Sequence, residues 1–136
     1  MTATSTGSSP EPVTAPFREH GALARGVFAV AVLVSLAVLF APPGDVPSSP
    51  PGVDKVVHFA LFAVLACTGR WAGVRQGPLS VALVLYAAGS ELLQGTSLVD
   101  RDASIGDLVA DSAGVVVGLL LWRLVAARRT RTRTRS

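Results

Sequence analysis

The chain has little charge, almost no cysteine and a single lysine. Only 15% of its 136 residues are charged, against roughly 25% in an average soluble domain, so the usual solvated surface of such a domain is missing. One cysteine, Cys67, excludes an internal disulfide framework, and its place in an apolar run makes it a small packing residue. Nucleophilic catalysis finds no support, because Ser90 and Ser104 have no partner at a diagnostic spacing. What is present is apolar: half of the residues are hydrophobic and mean hydropathy is +0.52. This composition points to a membrane protein, and the length allows one domain.

Residues 1–21 are rich in Thr, Ser, Pro and Ala and read as a disordered cytoplasmic tail, since they carry too little apolar surface to offset the entropy of ordering. The first apolar run, Ala22 to Ala41, has about the 20 residues that a hydrocarbon core of about 30 Å requires. Pro42 and Pro43 end it, and a Pro/Gly/Ser loop reaches Gly52. Three further runs follow, Val56 to Gly69, Leu79 to Leu93 and Ile105 to Val125. The second and third are short and reach spanning length only by taking polar residues to the bilayer. The expected architecture is an all-α integral membrane bundle of about four transmembrane helices within residues 22–127, followed by a basic cytoplasmic tail at 128–136.

Loop charges set the expected orientation, because cytoplasmic flanks collect Lys and Arg. Arg18, Arg25, Arg70, Arg75, Arg123, Arg128, Arg129, Arg131, Arg133 and Arg135 fall on the odd-numbered flanks. Lys55 and Arg101 are the only basic residues on the others, which makes both termini cytoplasmic. A signal peptide in the first run is a weaker reading, because its apolar stretch is long and no small-x-small site precedes the prolines. The arginines of the C-terminal tail follow a span directly and therefore meet anionic lipid headgroups rather than nucleic acid.

The informative residues are the polar ones between Asp54 and Gly118. An ionised side chain at the centre of a bilayer costs about 2.5–3.5 kcal/mol on insertion scales, so such groups face a bundle interior and tend to be functional. Asp54 and His58 lie four apart, as do Asp107 and Asp111, while Glu91 and Gln94 lie three apart. Each pair shares one helix face. An up-down path through four spans brings all of them, with Lys55 and Arg101, to the extracytoplasmic end. Gly114 and Gly118 continue the Asp107 and Asp111 face as a small-xxx-small packing ridge. Structural roles are open for each: Asp54 as a helix cap, Lys55 as a snorkelling anchor, His58 as an interhelical contact, Glu91 as a partner for Arg101 or Lys55.

The pattern Asp54-Lys55-x-x-His58, Glu91-x-x-Gln94 and Arg101-x-x-Ser104-x-x-Asp107-x-x-x-Asp111-x-x-Gly114-x-x-x-Gly118 resembles the VanZ-like family of small bacterial membrane proteins. The resemblance spans Asp54 to Gly118, about half of the chain. It departs where the family usually has Asn and this chain has Asp111, which adds one formal negative charge. The resemblance implies a multi-span protein of the cell envelope in the plasma membrane, whose namesake is associated with resistance to the glycopeptide teicoplanin.

Three functional readings follow. In the first, the polar site binds or modifies an envelope molecule, lipid-linked or peptidoglycan-like. There Glu91 and His58 act as acid and base, Asp107 orients the base, and Asp54, Lys55, Gln94, Arg101 and Asp111 hold the ligand, Arg101 gripping a phosphate or carboxylate bidentately. The second makes the charged cluster a structural lock in a non-catalytic protein that interacts with lipids and an envelope protein partner. The third is a divalent-cation or proton-coupled device. No metal or cofactor is assigned, because Lys55 and Arg101 stand close enough in sequence to neutralise the acids.

Overall fold

Glycine and proline divide the chain into apolar stretches, and each stretch forms one helix. The computed structural model describes residues 20–41, 50, 52–96 and 104–133. These contain four α-helices and no strand: α1 (Ala22–Leu39), α2 (Val53–Trp71), α3 (Gln76–Gln94) and α4 (Ile105–Arg133). The N-terminal tail, most of the Pro/Gly/Ser loop, Arg18, Arg101 and Arg135 lie outside the described residues.

Local chemistry sets most helix ends. The last turn of α1 closes with the Phe40 N–H donating to the Leu36 carbonyl at 3.1 Å, just before the Pro42-Pro43 pair. α2 starts three residues earlier than the apolar run, directly after Gly52 at φ 93°, and so carries Asp54 and Lys55 in its first turn. It stops in a Schellman motif: Val74 N–H donates to Gly69 at 3.0 Å and Gly73 N–H to Arg70 at 3.1 Å. Gly73 sits at φ 97°, a conformation that only glycine adopts without strain. α3 admits Pro78 because its first-turn amides need no intrahelical acceptor. α4 runs past the expected boundary at Val125 and through the basic segment to Arg133. No glycine or proline interrupts that stretch, arginine is a good helix former, and cations suit a helix C-terminus.

The helices alternate in direction. At one end the His20 N–H donates to Trp71 at 3.1 Å and Arg123 donates to the Gln76 side chain at 2.9 Å, joining α1 to α2 and α4 to α3. The opposite end gathers the C-termini of α1 and α3 with the N-termini of α2 and α4. α2 is the central helix and packs against all three others, most extensively against α4. Phe62, Leu65 and Ala66 of α2 form the core with Leu79, Leu83 and Ala87 of α3, Val115 and Leu119 of α4, and Leu39 of α1. The Phe62 and Tyr86 rings meet at 5.5 Å.

The close α2–α4 contact depends on two glycines. A Cβ on Gly114 would strike the Phe59 carbonyl, and one on Gly118 the Ala63 carbonyl. Both obstacles are backbone and have no rotamer to relax into. The expected packing ridge is therefore present, and it faces α2. α1 and the Ile105–Arg128 portion of α4 are long and apolar enough to cross a membrane.

Gly114→Ala and Gly118→Ala are each expected to destabilise the bundle by about 1–3 kcal/mol. Gly89, with open space around its Cα, should instead gain up to about 1 kcal/mol on Gly89→Ala. Thermal unfolding of the three variants in one detergent checks both signs.

Candidate functional site

The polar residues of α2, α3 and α4 converge at the end of the bundle where α1 and α3 terminate. His58 is one turn inside α2 and is buried, as are Glu91, Gln94, Asp107 and Asp111. The imidazole Nδ1 lies 3.0 Å from Asp111 Oδ1 and 3.7 Å from Glu91 Oε1, so one nitrogen faces carboxylates from two other helices. Asp111, rather than Asp107, is thus the carboxylate positioned to orient His58. Asp107 instead pairs with Lys55, whose Nζ stands 3.1 Å from its Oδ1.

Glu91 occupies the last turn of α3, where the helix dipole disfavours an anion. The next helix compensates. Glu91 Oε2 accepts the Ser104 backbone N–H at 2.8 Å, at the mouth of α4, whose free amides and positive dipole end favour negative charge. Asp107 occupies the first turn of the same helix. The acids therefore gather where the α4 backbone partly offsets their charge.

The sequence-expected residues take different parts in this arrangement. His58, Glu91 and Asp111 form the buried centre, with Asp54, Lys55 and Asp107 next to it. Ligand atoms of Asp54, His58 and Asp107 all lie within 4.8 Å of one another, although Asp54 is exposed in the first turn of α2. Gly52 is the N-cap of α2, so Asp54 does not cap the helix but stands within its first turn. Gln94 is committed elsewhere: its Nε2 donates to the Leu39 carbonyl at 2.8 Å and ties α3 to the end of α1. Arg101 falls outside the described residues.

Sequence reasoning passed over a second, partly buried polar contact. Ser35 Oγ donates to Val32 at 2.8 Å, which leaves the Tyr86 hydroxyl to donate to Ser35 across 3.1 Å. This bond joins α1 to α3 in mid-bundle. The available signal was a lone serine and a lone tyrosine within apolar runs, each needing a partner once buried. Two carboxylate oxygens of the centre, Glu91 Oε1 and Asp111 Oδ2, are buried without a hydrogen-bond partner among the described residues.

The described residues form an all-helical bundle that buries polar groups at one end, and two of its helices are long and apolar enough to cross a membrane. The chain belongs to the VanZ/LLP1 family, whose model matches residues 4–126. That match extends well beyond the motif stretch and takes in α1, α2, α3 and most of α4. No curated protein and no solved structure matches the chain significantly.

Gln94→Leu removes the donor for a helix-terminal carbonyl and leaves the apolar volume in place. It is expected to cost about 1–3 kcal/mol, read as a lowered unfolding midpoint in detergent.

Proposed function

We propose that the chain is a four-span protein of the plasma membrane with both termini cytoplasmic, and that its buried polar centre binds an envelope molecule at the extracytoplasmic end. The observation that carries this reading is an inverted distribution of polarity. Val30 and Leu33 of α1, Val56 and Val64 of α2, Val81 and Leu85 of α3, and Val109 and Val116 of α4 are all exposed. Glu91, Asp107, Asp111 and His58 are buried beneath them. A water-soluble monomer rarely exposes so much continuous apolar surface, whereas lipid covers it on every side. α2 and α3, at 19 residues each, extend about 28 Å and so match the hydrocarbon thickness.

At this centre His58, held by Asp111, supplies a base and Glu91 an acid. Asp54, Lys55 and Asp107 line the adjoining, more exposed part, and Lys55 provides a cation for an anionic ligand. The ligand class is a lipid-linked or peptidoglycan-like precursor, or a glycopeptide that binds one, which connects the site to the resistance phenotype of the family's namesake. Gln94 ties the site to α1, since its Nε2 donates to the Leu39 carbonyl.

A second reading makes the cluster a lock that holds the bundle together for an interaction with another membrane protein. The Gln94–Leu39 and Lys55–Asp107 bonds favour it, since both join helix ends. The two readings differ in abundance. Removing one member of a buried charge pair costs about 3–5 kcal/mol, so a lock predicts that Glu91→Gln fails to accumulate.

Topology is read by reporter fusions: alkaline phosphatase joined after residue 49 should be active, joined after residue 74 inactive, and a fluorescent protein at the C-terminus should fluoresce. The reverse pattern defeats the orientation. For function, a teicoplanin-sensitive host expressing the native chain should become less susceptible. Glu91→Gln and Arg101→Gln, matched for membrane abundance, should abolish the shift. No shift from well-inserted native protein defeats the resistance link, and a shift that survives both substitutions removes it from the polar centre.

A further inference from the structure

We infer that His58, Glu91 and Asp111 form a binding site for a first-row divalent cation such as Zn2+ or Mn2+. The inference rests on the proposed reading of this centre as the functional site, and assigns His58, Glu91 and Asp111 to holding an ion there in place of acting as free acid and base. Three observations support it. One is the donor set, an imidazole nitrogen and two carboxylates drawn from three helices, whose ligand atoms all lie within 4.8 Å of one another. Such a mixed nitrogen and oxygen set suits Zn2+ and Mn2+ better than Ca2+, which takes oxygen ligands.

Another is geometry. Two ligands bound at about 2.1 Å stand about 3.0 Å apart on an octahedral edge and about 3.4 Å apart on a tetrahedral one. His58 Nδ1 and Asp111 Oδ1 are already at 3.0 Å, and Nδ1 and Glu91 Oε1 are at 3.7 Å. The Nδ1–Oε1 separation exceeds a tetrahedral edge by only about 0.3 Å.

The last is an imbalance of partners. Glu91 Oε1 and Asp111 Oδ2 are buried and accept no hydrogen bond from the described residues, although their residues are only 6% and 0% exposed. Buried carboxylate oxygens in native proteins are paired or coordinate a metal. Lys55 could have served as the counter-cation, but the structure gives it to Asp107. Among the described residues, no Lys or Arg forms an ion pair with Glu91 or Asp111. The neighbouring set of Asp54, His58 and Asp107 also meets the distance condition, yet Asp107 there already holds the Lys55 ammonium. A divalent ion between His58, Glu91 and Asp111 supplies positive charge that none of the described Lys or Arg side chains gives these acids. Binding requires the proton shared between Nδ1 and Asp111 Oδ1 to leave for solvent.

The test uses the full chain in detergent, free of any histidine tag, stripped with EDTA and equilibrated with Zn2+ or Mn2+ alone. Elemental analysis should find one ion per chain, and the unfolding midpoint should rise with metal. Titration calorimetry in two buffers of different ionisation enthalpy should show proton release. Asp111→Asn and Glu91→Gln should each weaken binding by about tenfold or more, while Gly89→Ala should bind as the native chain does. Absence of stoichiometric binding of either metal to the native protein overturns the site, as does unchanged affinity in both acid variants. If one acid variant does not accumulate, the other and the native measurement still decide. No glycopeptide enters this assay, so loss of the resistance phenotype and loss of metal binding are read separately.

Discussion

Everything at the polar end of this bundle follows from the cost of leaving a carboxylate among apolar side chains without partners. An ionised group carried on an apolar helix has either to stay exposed or to turn inward to partners, because its desolvation outweighs most single contacts. Lys55 takes the first course, with half of its side chain exposed while its ammonium meets Asp107. His58, Glu91 and Asp111 take the second. Their inward orientation fixes the rotation of α2, α3 and α4 about their own axes, and the exposed faces of those helices are then apolar by default.

The inward solution works only because α2 and α4 approach closely. Gly114 and Gly118 bring the α4 backbone against the Phe59 and Ala63 carbonyls, one and two turns below the level of Asp111. Larger residues there would hold α4 away from α2 and lengthen the 3.0 Å contact between His58 and Asp111. Packing and chemistry are in this sense one feature: the glycine ridge sets the distance at which the imidazole and the carboxylate meet. α3 is drawn to the same place by the amide of Ser104, which gives Glu91 a donor at the start of α4.

Membership of the VanZ/LLP1 family gives this arrangement a biological setting without supplying a reaction. The structure adds an allocation of tasks among residues that look alike in the motif. Gln94 serves architecture through Leu39, and Asp107 is occupied with Lys55. Glu91 and Asp111, beside His58, are each left with a buried carboxylate oxygen that has no hydrogen-bond partner among the described residues. A motif read along the chain treats these polar positions as equivalent, while their partners in space make them different.

The sequence by itself determined that the protein is helical, where three of its helices lie to within a few residues, and that the polar residues share faces. Those properties are local: apolar run length, helical spacing and glycine or proline punctuation all act between neighbours in the chain. The pairing of Glu91 was not legible, because its donor is the backbone of Ser104, and every residue has a backbone N–H that no side-chain pattern advertises. The Ser35–Tyr86 bond was likewise hidden, since it spans two helices distant in sequence. The choice of Asp111 over Asp107 as the partner of His58 was decided only in the folded bundle. Both acids lie on one face of α4 one turn apart, and which of them stands level with His58 depends on the axial register of α4 against α2, a property of the two helices together.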